Sequence, residues 1–206
     1  MDGALIANEI VNWLKRKRKP RVLLKLDFQK AYDTIDWNSL NTVMEEMGFG
    51  RRWRGWIQSC LTSATISILL NGTPCKPFKM GRGLRQGDPL SPFLFVIMAE
   101  VLNKMLTNAT QLRFFKGLEV GVKEVKISHL QFADDTLIFS EVEEEYLENI
   151  KRILLSFQTF SGLTMNYKKS GLIVLRRNDA WAQNAAVRMG WTLVKLPITY
   201  LSLIHI

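Results

Sequence analysis

Phe132-Ala133-Asp134-Asp135 sets two adjacent carboxylates between two apolar runs, Ile127–Phe132 and Thr136–Phe139. Like charges side by side near a core repel and resist desolvation. A divalent cation relieves both problems, and carboxylate oxygens suit Mg²⁺ or Mn²⁺. Aspartate also favours turns, so a solvated hairpin is the competing reading. Asp27 adds a third carboxylate at the C-terminal end of another apolar run, Arg21–Leu26. If these runs are neighbouring strands, three carboxylates converge at one end of a sheet. That is a ligand set for two metals about 4 Å apart, which support in-line phosphoryl transfer. Asp33 and Asp36 read instead as helix caps or solvated acids.

A second element is the run Gly81-Arg82-Gly83-Leu84-Arg85-Gln86-Gly87-Asp88, placed just ahead of a helix that opens at Pro89 and Pro92. Glycines let backbone approach a ligand closely, and a helix start favours anions. No Gly-Lys-Ser/Thr follows, so the run is not a Walker A loop. A triphosphate or a template strand suits it beside an acidic centre. An ordinary loop with solvated arginines is the plain alternative.

The elements that would position these groups follow from periodicity. Asp2 can cap a helix with Ile6, Ile10, Trp13 and Leu14 on one face, ending in Lys15–Lys19 and Pro20. Arg21–Leu26 is a buried strand. Helices are predicted from Asp36 to Gly48, over Arg51–Leu61, from Pro92 to about Leu106, over Glu143–Phe160 and over Trp181–Met189. Thr65–Leu70 with Asn71-Gly72 is a hairpin signal. Ile127–Phe132, Thr136–Phe139 and Gly171–Leu175 complete the strands. The class is α+β, with helices packed on a small antiparallel sheet.

Composition narrows the function. In 206 residues, 28 Lys+Arg stand against 19 Asp+Glu, a net charge of +9. Such an excess points to a polyanionic partner, nucleic acid or an acidic membrane surface. Hydrophobic residues at 47% and charged residues at 23% are those of a globular protein. No run reaches the roughly 18 apolar residues that span a bilayer. Two cysteines, Cys60 and Cys75, and two histidines, His129 and His205, argue against a disulfide framework or a Cys/His zinc site. The cysteines fit a reducing, intracellular compartment as small apolar fillers. Trp53 and Trp56 read as core residues, Arg51, Arg52 and Arg54 as either backbone-contacting or solvated.

Four stretches together resemble the catalytic motifs of reverse transcriptases, in that family's order. They are Leu24-Lys25-Leu26-Asp27-Phe28-Gln29-Lys30-Ala31-Tyr32-Asp33, Gly83-Leu84-Arg85-Gln86-Gly87-Asp88-Pro89-Leu90-Ser91-Pro92, Phe132-Ala133-Asp134-Asp135, and Ser161-Gly162-Leu163-Thr164-Met165-Asn166-Tyr167-Lys168-Lys169-Ser170. Their wording is similar to the non-LTR (LINE-type) retrotransposon enzymes, especially plant copies, and the likeness runs from about Asp2 to Tyr200. It implies a polymerase palm, with the helices on one face of the sheet, that adds dNTPs to a primer 3′-hydroxyl on an RNA or DNA template. It implies metal binding by Asp27 and Asp134, supported by Asp135. Tyr32 resembles the steric gate against a 2′-hydroxyl, Gln86 and Gly87 the contacts to nucleotide and template base, and Arg85 a phosphate or template contact. Lys169, or Lys168, would protonate the leaving pyrophosphate, a solvated turn being the alternative for both.

The resemblance implies residues 1–200 as a palm with partial fingers, acting in the nucleus or cytoplasm and not at a membrane. The fingers ahead of Asp27, a thumb after Leu175 and an upstream endonuclease are expected to be missing. Leu201–Ile206 departs from the family's continuation and matches a translated sequencing adaptor, so 201–206 reads as a non-native tail. Two alternatives stay open at this point, a group II intron maturase-type polymerase and an inactive element remnant that binds nucleic acid.

Overall fold

The computed structural model describes residues 2–17, 19–121, 124–200 and 204–205. Its centre is a five-stranded sheet in the order Thr192–Leu193, Gly171–Leu175, Arg21–Leu26, Asp135–Glu141, His129–Phe132. Arg21–Leu26 is the middle strand and pairs antiparallel on both sides, Leu24 facing Ile138 on one side and Leu172 on the other. It is apolar nearly throughout because both its faces are covered, as sheets buried on both faces require. One ladder departs from the expected antiparallel sheet, since Gly171–Leu175 and Thr192–Leu193 run parallel.

Alternation along the strands divides the core in two. Val22, Leu24, Leu26, Ile138 and Leu172 face a large cluster built with helices Trp37–Glu46, Ser91–Gln111 and Glu144–Ser161, through residues such as Leu40, Phe95, Met98 and Phe157. Leu23, Leu137, Phe139 and Ile173 face the other way, onto Ala7, Ile10, Val11 and Leu14 of helix Asp2–Arg16. Helices therefore cover both faces and not one. The first helix supplies an apolar stripe at helical spacing, and an otherwise bare sheet face is what it buries.

Several elements form as their local sequence dictates. Asp36 caps helix Trp37–Glu46 by accepting the Ser39 N–H at 2.8 Å. Asn71 and Gly72 both take positive φ, the two-residue turn of a tight hairpin between Leu69–Leu70 and Thr73–Pro74. Helix Ser91–Gln111 runs past Leu106 because Ala109 continues the buried stripe of Met98, Leu102 and Leu106. The apolar run before the acidic pair is split at Ser128. Val125–Ile127 pairs with Leu118–Val120, a strand the periodicity does not reveal, and only His129–Phe132 joins the main sheet.

Some side chains depart from expectation. Cys60 and Cys75 are both exposed and so fill no core. Trp56 is 56% exposed, with the Arg52 guanidinium 5.1 Å from its ring, whereas half-buried Trp53 stacks on Phe49. Arg54 is structural, bonded to Glu45, Asn41 and the Phe49 carbonyl. Among the described residues no helix is long and apolar enough to cross a membrane. Leu201–Leu203 and Ile206, most of the expected tail, lie outside the described residues.

Helix Glu144–Ser161 stops at Gly162 in a left-handed conformation, φ 77°, the usual helix C-terminal signal. A Cβ there would stand 2.6 Å from the Thr34 carbonyl oxygen. Gly162→Ala is expected to cost at least about 1–2 kcal/mol from the left-handed backbone alone. A lowered urea midpoint with unchanged slope is the check. His129 offers a second test. Its Nε2 lies 2.8 Å from Asn103 Oδ1 and its Nδ1 2.8 Å from Ser128 Oγ. Burial holds its pKa below the ordinary 6.5, against a smaller opposing pull from Glu100. The unfolded chain therefore protonates first, so the His129 contribution is fully present above pH 6.5 and is lost as pH falls toward the folded-state value. His129→Gln should flatten that part of the stability–pH profile measured by denaturant melts.

Candidate active site

Strand register brings the carboxylates together. Leu26 pairs with Thr136 as the last pair of this ladder, so Asp27 and Asp135 are the next residue on each side of its end. Both are partly buried. Phe132 pairs with Asp135, leaving Ala133 and Asp134 as a two-residue turn. Ala133 holds φ 50°, a left-handed conformation that costs a non-glycine residue about 1–2 kcal/mol. The turn presents Asp134 to solvent at its tip.

The three carboxylates thus converge as backbone positions. Their side chains do not close into a cluster, and no three His, Cys, Asp or Glu groups among the described residues form a ready metal site. The donors offered are carboxylate oxygens, which match a hard divalent cation and not a thiolate- or imidazole-preferring metal.

The fourth motif folds directly against Asp27. Thr164–Met165 pairs with Phe28–Gln29. The Asn166 N–H then donates to the Asp27 carbonyl at 2.8 Å, and the Asp27 N–H donates to Ser170 Oγ at 3.1 Å. Asn166 also closes the turn by accepting from the Lys169 and Ser170 N–H groups at its carbonyl, 3.0 and 2.8 Å. Lys168 and Lys169 stand exposed on that turn, next to the acidic centre in the fold. Asn166 and Ser170 escape sequence reasoning because Ser170 meets Asp27 across 143 residues, a contact no local pattern announces.

The glycine loop is anchored on the helix that follows Asp27. Gly83 N–H donates to the Ile35 carbonyl at 2.8 Å and Leu84 N–H to the Tyr32 carbonyl at 2.6 Å. The Trp37 indole N–H donates to the Gly83 carbonyl at 2.7 Å, another contact that sequence does not announce. Gly83 must be glycine, since its φ is 82° and a Cβ would meet the Asp33 carbonyl oxygen at 2.5 Å. Gly87 also has positive φ but faces open space. Tyr32 stacks on Phe95 with ring centroids 5.1 Å apart. Tyr32, Gln86, Gly87, Pro89 and Ser91 line one cavity of about 500 Å³, a size ordinary for a small-molecule site.

Two predicted contacts have protein partners of their own. Arg85 pairs with Asp88 at 2.6 Å, and Asp88 accepts from the Leu90 N–H at 2.9 Å, so Arg85 braces the loop's turn. Gln86 Nε2 donates to Asp33 Oδ1 at 3.4 Å, giving exposed Asp33 a role as a loop partner.

Residues 2–205 match the family described as reverse transcriptase (RNA-dependent DNA polymerase). A Pol polyprotein of a type-1 R2 retrotransposable element from Popillia japonica is 29% identical over 82% of this chain and 23% of its own length. The TX1 transposon 149 kDa protein of Xenopus laevis is 25% identical over 82% of this chain and 12% of its own length. The chain thus spans about a quarter or less of these curated relatives. Apo telomerase from Candida tropicalis shares the fold with a TM-score of 0.59 at 18% identity, over 84% of this chain and 35% of that one. A family match across nearly every residue, on a sheet whose central ladder ends beside Asp27 and Asp135, establishes that the chain belongs to the reverse transcriptase family, with relatives among the non-LTR retrotransposon proteins.

Proposed function

We propose that this chain is the polymerase palm of a non-LTR retrotransposon enzyme, extending a primer 3′-hydroxyl with dNTPs on an RNA or DNA template. The juxtaposition of Asp27 and Asp135 at one end of the central ladder, with Asp134 on the adjoining turn, carries this reading. Asp27, Asp134 and Asp135 would hold Mg²⁺ or Mn²⁺. Bound there, the cations would activate the hydroxyl and neutralise charge on the pyrophosphate.

The chain's own residues supply positioning. The Tyr32 ring, backed by Phe95, forms a rigid wall of the cavity beside the glycine loop. It would lie under a nucleotide sugar and exclude a 2′-hydroxyl, the one group that separates ribo- from deoxyribonucleotides. Gln86 and Gly87 line the same cavity and would meet the nucleotide and its template base. Lys169, or Lys168 beside it, would donate a proton to the departing pyrophosphate from the turn tied to Asp27. Arg85 contributes through the shape of the loop. The net charge of +9 suits a template–primer duplex around an acidic centre.

Primer extension on an RNA template with Mg²⁺ tests the reading. Asp134→Ala is expected to lower extension by at least about 100-fold, the scale of losing a charge-stabilising group at a reacting centre. Equal extension by the variant would overturn the metal assignment. Tyr32→Ala should raise ribonucleotide incorporation relative to deoxyribonucleotide, measured as the ratio of kcat/KM values. An unchanged ratio refutes the gate.

A further inference from the structure

The backbone of Asp27 is held by the turn Asn166–Ser170, which closes on it through side-chain and main-chain groups together. The Asp27 N–H donates to Ser170 Oγ at 3.1 Å, and the same hydroxyl lies 3.4 Å from the Asp27 carbonyl oxygen. That carbonyl also accepts from the Asn166 N–H at 2.8 Å. Ser170 is only 1% exposed, so its hydroxyl has been taken out of water to make these contacts. A buried hydroxyl needs its hydrogen bonds, and here they go to the main chain of the residue that carries the proposed metal-binding carboxylate.

The location matters because Asp27 lies just beyond the end of its strand. The ladder to Gly171–Leu175 ends at Lys25 opposite Gly171, and the ladder to Asp135–Glu141 ends at Leu26 opposite Thr136. Past the last ladder bond, backbone groups must find other partners or fray. Ser170 and Asn166 supply those partners one residue further on. They hold the Asp27 main chain in line with Asp135 where the sheet itself no longer does.

We infer that Ser170 is a positioning residue, whose buried hydroxyl fixes the Asp27 backbone and so presets the carboxylate for divalent-cation binding. This rests on the metal-binding role proposed above for Asp27. It also makes the lysine turn and Asp27 one mechanical unit. Outer contacts that orient a metal ligand matter strongly, and their loss typically weakens metal affinity by 10- to 100-fold.

The test is Mn²⁺ titration of the full chain followed by electron paramagnetic resonance, without primer or nucleotide. Asp27→Asn should abolish the tight site. Ser170→Ala should weaken it by about 10-fold. Gly117→Ala, which crowds the Ile127 carbonyl at the far end of the sheet, where the Lys116 carbonyl accepts from the Glu141 N–H, should bind Mn²⁺ as the wild type does. Wild-type affinity in Ser170→Ala, with binding lost in Asp27→Asn, would overturn the inference and leave the metal reading standing. Wild-type affinity in Asp27→Asn would overturn the metal reading and this inference with it. Equal weakening in Gly117→Ala and Ser170→Ala would reduce the effect to general loosening and also overturn it. If Ser170→Ala does not fold, Ser170→Cys keeps a weak donor and acceptor in a slightly larger side chain and is judged by the same criteria.

Discussion

The middle strand Arg21–Leu26 is bonded on both edges and buried on both faces, and the candidate site depends on that confinement. A strand held in this way cannot slip by one residue without sending Leu24 and Leu26 to the wrong core. Register is therefore fixed by apolar packing, and the position of Asp27 and Asp135 at the end of the ladder follows from it. Leu24, Leu26, Ile138 and Leu172 are all fully buried. The hydrophobic face thus pays for bringing together two carboxylates that would otherwise separate.

Around this fixed point the loops are held by a few close contacts. Gly83 and Gly162 each approach backbone so tightly that a Cβ would overlap it, Gly83 at Asp33 and Gly162 at Thr34. The short helix Ala31–Thr34 is the shared anchor, since it leads from Asp27 to Tyr32 and receives both loops at its end. The glycine loop with its cavity and the segment that leads to the lysine turn are thereby referred to one stretch of chain. At the far end of the sheet, Glu141 pairs with Arg21 and Lys116, both at 3.4 Å. Ion pairs at the sheet's rim add little beside the apolar core, which carries the fold.

Charge is divided in the same way. The chain carries nine more cations than anions, yet its chemistry is expected from an acidic strand end. Several arginines that sequence alone offers to nucleic acid are engaged within the protein, Arg54 with Glu45 and Arg85 with Asp88. The attraction for a polyanion therefore rests on the remaining surface cations, a long-range and salt-dependent effect.

The sequence by itself determined the α+β class, nearly every helix, the strand that ends at Asp27, the Asn71-Gly72 turn and the four motifs with their order. These are local properties, since hydrophobic period, capping residues and turn chemistry act within a few residues. Even so, the strand Leu118–Val120 was not legible, because its pairing with Val125–Ile127 supplies the stability that its own pattern lacks. Only the tertiary structure decided that Asp27 and Asp135 meet at the end of one ladder, that the first helix covers a second face of the sheet, and that Arg85 is tied back into its own loop. The grip of Ser170 on Asp27 belongs with these. Such contacts join residues far apart in the chain, and their partners are chosen by which apolar faces must be buried, a condition that no short window of sequence contains.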